Sequence, residues 1–179
     1  KGQIEKISSV LTRRGADFVP LTDNPIDRLW KDRPASSTDP AVPHHLDYTG
    51  EDSLNKRKRI GAVVASAGAD AVVLTLPDSI AWLFNIRGRD VAHTPLVLSL
   101  ARLNKDGRAT LFSDPVKVTE ELKSHLGSEV SIEDKAAFSE VLSGLSEQKI
   151  LVDPAKTHAA VLEQLERAGA EIVTGNDPC

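Results

Sequence analysis

The run AVVLTL, residues 71–76, constrains the fold more than any other part of this 179-residue chain. It carries no charge and a single polar residue, so it cannot present one wet and one dry face. It reads as a strand buried on both sides, the kind that needs helices above and below its sheet. The flanking sequence supplies such helices. Residues 51–67 place Leu54, Ile60, Val63, Val64 and Ala67 at helical spacing, and Gly68-Ala69-Asp70 ends the pattern. Pro77-Asp78-Ser79 opens a shorter helix whose Ile80, Leu83 and Phe84 fall at i, i+3 and i+4. LVLSLARL (96–103) and ATLFS (109–113) then flank Asn104-Lys105-Asp106-Gly107, a hairpin signal with Asp-Gly in the turn. Helix and strand alternate to the end: helix 115–126, strand 129–132, helix 135–145, strand 149–152, helix 155–168, strand 171–174. Strand, antiparallel hairpin and repeated helix–strand units predict an α/β domain, a mixed sheet with helices on its faces.

The first third has another texture. Residues 3–14 carry Ile4, Ile7, Val10 and Leu11 at helical spacing before Gly15. Residues 18–21 read as a short strand, and Asn24-Pro25 as a helix cap followed by a first-turn proline. From Pro34 to Gly50 the chain is rich in proline, serine and threonine without periodicity, which predicts a connection. Four segments follow: residues 1–33 as the last helix and strand of a preceding domain, 34–48 as a Pro-rich linker, 49–175 as the main domain, and 176–179 as the start of a further linker.

Bulk properties exclude several classes. With 40% apolar and 27% charged residues the chain has a globular balance, and no apolar run is long enough to cross a bilayer. A net charge of −4 argues against a dedicated nucleic-acid binder. The single cysteine, Cys179, allows no internal disulfide and points to a reducing, cytoplasmic setting, and no signal-peptide pattern opens the chain. The lack of an initial methionine and the turn-like Asn176-Asp177-Pro178-Cys179 lead us to expect a segment of a longer polypeptide. His44-His45 lacks the spacing of a zinc site, and His125 and His158 fall at helix ends. Ser99 lacks a nucleophile elbow, and neither phosphate-loop pattern occurs. KRKR (56–59) spans more than one helical turn, so we expect a solvated helix face. A strand–hairpin–helix order is also that of metal-dependent nucleases, but AVVLTL has no carboxylate to hold their ions.

One stretch remains rich in chemistry: NIRGRDVAHTP, residues 85–95. As a functional loop, Arg87 and Arg89 would bind an anion or peptide, with His93 as a proton carrier. As architecture, Gly88 would permit a turn, Pro95 would stiffen the entry to the hairpin, and Asp90 would pair with Arg87 or Arg89. Composition leans toward architecture, because a catalytic site needs a converging set of partners.

Taken whole, LTLPDSIAWLFNIRGRDVAHTPLVLSLARL (74–103) resembles the middle domain of three-domain Xaa-Pro aminopeptidases. VPLTDNPIDRLWKDRP (19–34) resembles the passage from the first to the second domain of that family. YTGEDSLNKRKRIGAVV (48–64) is similar to the opening helix of the second, and VTGNDPC (173–179) to the approach to the third. The resemblance implies a creatinase/prolidase N-terminal-like fold with a ribonuclease H-like motif. It also implies two divalent metals, manganese by family habit, held in a catalytic domain that follows this segment. No catalytic or metal-ligand position carries over to this chain. The implied partners are the first and catalytic domains of the same polypeptide and a peptide substrate, with no nucleic acid, no membrane and a homodimer for the full enzyme. Arg87, Arg89, Asp90 and His93 become candidate interdomain or loop-ordering contacts in a segment that is itself inactive. The alternative is a stand-alone peptide- or anion-binding module of the same fold.

Overall fold

Every residue except Lys1, Pro20 and Thr22 is described in the computed structural model, Gly2, Gln3 and Glu5 by their backbone alone. The chain divides into two units, Lys1–Ser37 and Thr38–Cys179. The first contains helix α1 (Gly2–Thr12) and the short helix α2 (Pro25–Leu29). Asn24 caps α2 as its sequence requires, its side chain accepting from Ile26 N at 3.0 Å. The strand expected at 18–21 does not form: Phe18, Val19 and Leu21 lie in no regular element, and Pro20 is outside the described residues. An extended segment needs a partner for its backbone groups, and this unit has no strand among its described residues. Its apolar residues are open, Ile7 and Val10 on α1 and Trp30 after α2 each being about half exposed.

The second unit opens earlier than the spacing of residues 51–67 suggests. Within the Pro-rich segment, strand β1 (Val42–Pro43) and one-turn helix α3 (Leu46–Thr49) form, and Ala41 is buried in the core. Helix α4 (Ser53–Ser66) follows its Asp52 cap, then strand β2 (Ala71–Leu74), helix α5 (Pro77–Phe84) and strand β3 (Ile86–Arg87). The hairpin is β4 (Leu100–Asn104) and β5 (Ala109–Ser113). The C-terminal half continues as helix α6 (Glu120–Leu126), strand β6 (Val130–Asp134), helix α7 (Phe138–Ser143), strand β7 (Lys149–Val152), helix α8 (Ala159–Arg167) and strand β8 (Glu171–Thr174).

Six strands form one mixed sheet in the order β6-β5-β4-β2-β7-β8. β4 pairs antiparallel with β2 and β5, while β6, β7 and β8 join in parallel. β2 lies inside the sheet with all four residues buried. Its alternate side chains serve two cores, which is why AVVLTL has no polar period. Val72 and Leu74 pack with Ile60 and Val64 of α4, Ile80 and Phe84 of α5 and Leu122 of α6. Ala71 and Val73 pack with Phe138 and Leu142 of α7 and Leu162 and Leu165 of α8. Each fully buried side chain of this size contributes about 1.5–3 kcal/mol, so both faces of β2 are needed.

At three of the boundaries that differ from the sequence pattern, a polar group takes the backbone elsewhere. β4 starts at Leu100 rather than 96, since Leu96 O accepts from Asp90 N and Leu98 N donates to the Asp90 carboxylate at 2.7 Å. The helix expected over 115–126 splits: Asp114 caps a 3-10 turn at Pro115–Lys117, and Thr119 separately caps α6. α8 starts at Ala159 because Asp153 gathers Ala155 N, Lys156 N and Thr157 N into a turn.

The hairpin turn rests against α4. The Arg57 guanidinium, buried rather than solvated, donates to Gly107 O at 2.7 Å. A Cβ on Gly61 would meet Lys105 O at 2.8 Å and Asn104 O at 3.1 Å. Gly61→Ala should therefore destabilise the fold by about 1–3 kcal/mol through overpacking, despite a helix-propensity gain of about 1 kcal/mol. Urea denaturation reads this directly, and an unchanged or higher midpoint would show that the hairpin turn is not seated on α4.

Candidate functional site

The loop 85–95 begins where α5 must stop. Asn85 takes the left-handed conformation (φ 51°) that ends the helix, a geometry asparagine tolerates better than most residues. Its buried side chain then joins three elements. Oδ1 accepts from Lys56 Nζ at 2.7 Å, while Nδ2 donates to Glu51 O at 2.9 Å and Thr49 Oγ1 at 3.3 Å. Lys56 also donates to Trp82 O at 3.1 Å and sits 4.4 Å from the Trp82 ring centre. The solvated face expected for KRKR is therefore half right in place: Lys58 and Arg59 are exposed, but Lys56 and Arg57 are buried. Burial pushes the Lys56 ammonium below its usual range, with Glu51 opposing the shift and Arg87 and Arg59 adding to it.

β3 pairs with β1, Val42 opposite Arg87 and Pro43 opposite Ile86, and His44 N donates to Asn85 O at 2.7 Å. Arg87 turns back on α5, its Nη1 donating to Ala81 O at 3.2 Å and Ile86 O at 2.8 Å. Gly88 is obligatory for space, because a Cβ would lie 2.6 Å from Val97 Cγ2 and 2.9 Å from Leu96 O. Val91 and Thr94 form a bridge around a tight turn, with His93 at φ 61°. Arg89 and His93 are exposed and make no hydrogen bond or ion pair among the described residues.

Asp90 has a partner other than the arginines expected for it. Its Oδ2 accepts from Lys117 Nζ at 2.5 Å and from Leu98 N at 2.7 Å. The two side chains are only 2% and 5% exposed, so this ion pair is buried. Asp90 Oδ1 is shut from solvent without a partner, which leaves Lys117 as the charge that makes the carboxylate tolerable. The backbone of Lys117 takes part too, its carbonyl accepting from Ala41 N at 3.0 Å. Lys117, Asn85 and Lys56 were missed by sequence reasoning. Only Asn85 carried a signal, as an asparagine directly after the last residue of an amphipathic helix.

These elements frame an open cleft of about 780 Å³. Pro40, Val42, Val91 and Pro95 line it with apolar surface, and Arg87, Arg89 and His93 add charge and polarity. A second cleft of about 330 Å³ is lined by His44, His45, His125 and Arg57. His45 caps α3, His44 stacks on Tyr48 at 5.6 Å between ring centres, and His125 Nε2 lies 2.9 Å from Phe84 O. Among the described residues, no three His, Cys, Asp or Glu side chains gather as a ligand set. No helix among them is long and apolar enough to cross a membrane.

Comparison with known proteins follows the same outline. The family model of the creatinase/prolidase N-terminal domain matches residues 32–179, most of the chain. The chain belongs to that family. Aminopeptidase P2 of Arabidopsis thaliana is 31% identical over 92% of this chain, which spans 24% of that protein. The crystal structure of X-prolyl aminopeptidase from Caenorhabditis elegans, described as a cytosolic enzyme with a di-nuclear active site, superposes with a TM-score of 0.84. It is 25% identical, and the match covers 96% of this chain and 29% of that one. The separately crystallised N-terminal domain of the cytoplasmic peptidase PepQ from Mycobacterium tuberculosis shares the fold, at a TM-score of 0.51 and 16% identity over 69% of this chain and 95% of its own. The chain spans about a quarter of the length of the curated relatives it matches.

Two outcomes test this creatinase/prolidase N-terminal domain. Lys117→Met should cost about 3–5 kcal/mol in denaturant unfolding by stranding Asp90, and Asp90→Leu/Lys117→Met together should cost less than Lys117→Met alone. Equal stability of Lys117→Met and the parent would remove the ion pair as the anchor of the loop. The His44 imidazole is held below its ordinary value of 6.5 by partial burial and then by the charges of Arg87 and Lys56. The folded state thus binds this proton less tightly than the unfolded chain, so the stability linked to His44 is present above pH 6.5 and is lost as pH falls below it. Arg87→Gln should move the His44 imidazole NMR titration upward, and an unmoved midpoint would separate the two side chains.

Proposed function

We propose that this chain is the non-catalytic middle domain of a metal-dependent Xaa-Pro aminopeptidase. The observation that carries the proposal is the match over 96% of the chain to an X-prolyl aminopeptidase. No group of three His, Cys, Asp or Glu side chains that could hold a metal ion gathers among the described residues, which supports a supporting role. In this proposal residues 1–33 close a preceding domain, the middle domain runs to residue 175 and already takes in β1 and α3 of the Pro-rich segment, and 176–179 lead toward the catalytic domain. Two divalent metals, proposed to be manganese, would belong to that catalytic domain and would supply Lewis-acid chemistry for cleavage there. The whole enzyme removes an N-terminal residue preceding proline, as a cytoplasmic homodimer.

Within this scheme the four loop residues divide their work. Asp90 and Arg87 order the loop from inside, through Lys117, Leu98 N and the end of α5. Arg89 and His93 stand in the cleft, available to what lies beyond the domain. The scaffold suits this task, since the loop is fixed by buried polar contacts that leave Arg89 and His93 outside them.

The test compares two proteins. The longer polypeptide from the natural reading frame, supplied with manganese, should release alanine from Ala-Pro-Ala, and this chain alone should not. Equal turnover by this chain, or no turnover by the longer protein with any of manganese, zinc or cobalt, would overturn the proposal.

A further inference from the structure

The cleft of about 780 Å³ has a chemistry of its own that the domain-positioning role does not use. Its lining holds two guanidinium groups, Arg87 and Arg89, against a single carboxylate, Asp39, on a chain whose net charge is −4. Local charge therefore opposes the overall balance, and this favours an anionic guest. Arg87 has only Nη1 engaged, on two backbone carbonyls, and Arg89 makes no hydrogen bond or ion pair among the described residues. A free guanidinium offers a planar fork that matches a carboxylate.

The support for Arg89 is unusually firm for an exposed loop. Before it, Gly88 is wedged against Val97 and the Leu96 carbonyl. After it, Asp90 is buried against Lys117 and tied to Leu98 N, and Asp90 N donates to Leu96 O at 3.2 Å. The backbone on both sides of Arg89 is thus fixed before any guest arrives, which lowers the ordering cost of binding. His93 holds φ 61°, a conformation that is uncommon outside glycine and that persists where surrounding contacts enforce it. The wall between these groups is aliphatic and prolyl, through Pro40, Val42, Val91 and Pro95. Such a surface suits the pyrrolidine ring and small apolar side chains of an extended peptide, with few polar groups to leave unpaired.

We propose that this cleft is a carboxylate-binding subsite for short proline-containing peptides, with Arg89 gripping the carboxylate and His93 flanking it. The inference rests on the proposal that the longer polypeptide acts on Xaa-Pro peptides, and it names where a peptide's acidic end is held on this domain. C-terminal and side-chain carboxylates offer the same two oxygens, so the test separates them.

Binding is measured on this chain by backbone amide NMR shifts, a method suited to weak complexes. Ala-Pro-Ala as the free acid should shift the signals of residues 89–94 saturably, within a range reaching about 10 mM. Ala-Pro-Ala amide should bind at least about tenfold more weakly, and Ala-Pro-Glu amide should regain binding if a side-chain carboxylate serves as well. Arg89→Gln should lose about tenfold in affinity with an unchanged melting temperature, since its side chain is exposed and unpaired. His93→Asn, which tolerates the same backbone, should lose less, and Lys123→Gln on α6 should lose nothing. No saturable shift, equal binding of acid and amide, or full affinity in Arg89→Gln each overturns the subsite. Because no turnover is read, those failures leave the proposed activity of the longer polypeptide untouched, and failure of that activity leaves the binding result untouched.

Discussion

The Lys56 ammonium, enclosed between α4 and α5, donates to Trp82 O and Asn85 Oδ1, two neutral oxygens at the end of a helix. Everything around the loop depends on this contact. A helix C-terminus leaves carbonyls without partners and carries partial negative charge, so a buried cation there completes hydrogen bonds and complements the dipole together. Asn85 relays the same contact to Glu51 O and Thr49 Oγ1, fixing the approach to α4 and the end of α3. From that point β3 leaves in a set direction, pairs with β1 and delivers Arg87, Gly88 and Arg89 to the cleft.

A second buried cation completes the frame from the other side. Lys117 belongs to a 3-10 turn between β5 and α6, and it reaches Asp90 across 27 positions of sequence. Its carbonyl also holds Ala41, so the segment before β1 and the loop after β3 share one anchor. Two lysines thus hold a stretch whose own arginines were the obvious candidates. Lysine suits both places, because a compact ammonium can donate to several oxygens at different angles, whereas a guanidinium works best against a flat carboxylate. That leaves Arg89 uncommitted, which is why the cleft retains charge to offer.

Particular elements show how far the chain could be interpreted before its structure. β2 was legible because burial on two faces erases polar alternation, and the hairpin because Asp106-Gly107 marks its turn. α4 and α5 followed from apolar spacing, with a clear stop at Gly68 for the first. The ends of β4, α6 and α8 were not legible, since Asp90, Asp114, Thr119 and Asp153 redirect backbone groups through side-chain hydrogen bonds. The strand expected at 18–21 failed for lack of a partner, a condition no local pattern reveals. In the loop 85–95 the partner expected for Asp90 was an arginine of the same loop and the one found is Lys117, because the nearest opposite charge in sequence is not the nearest in space.

The sequence by itself determined a helix-covered mixed sheet, its hairpin, and the family to which the central thirty residues are similar. Those features are encoded by local period and by short turn signals, which act over a few residues. Only the tertiary structure decided that Lys56 and Lys117 are buried anchors, that Asp90 belongs to Lys117, and that Arg89 and His93 line a cleft with no hydrogen bond or ion pair among the described residues. Each of these depends on which groups lose their water when the sheet and helices close, and that choice is made across long separations where sequence distance carries no information about contact.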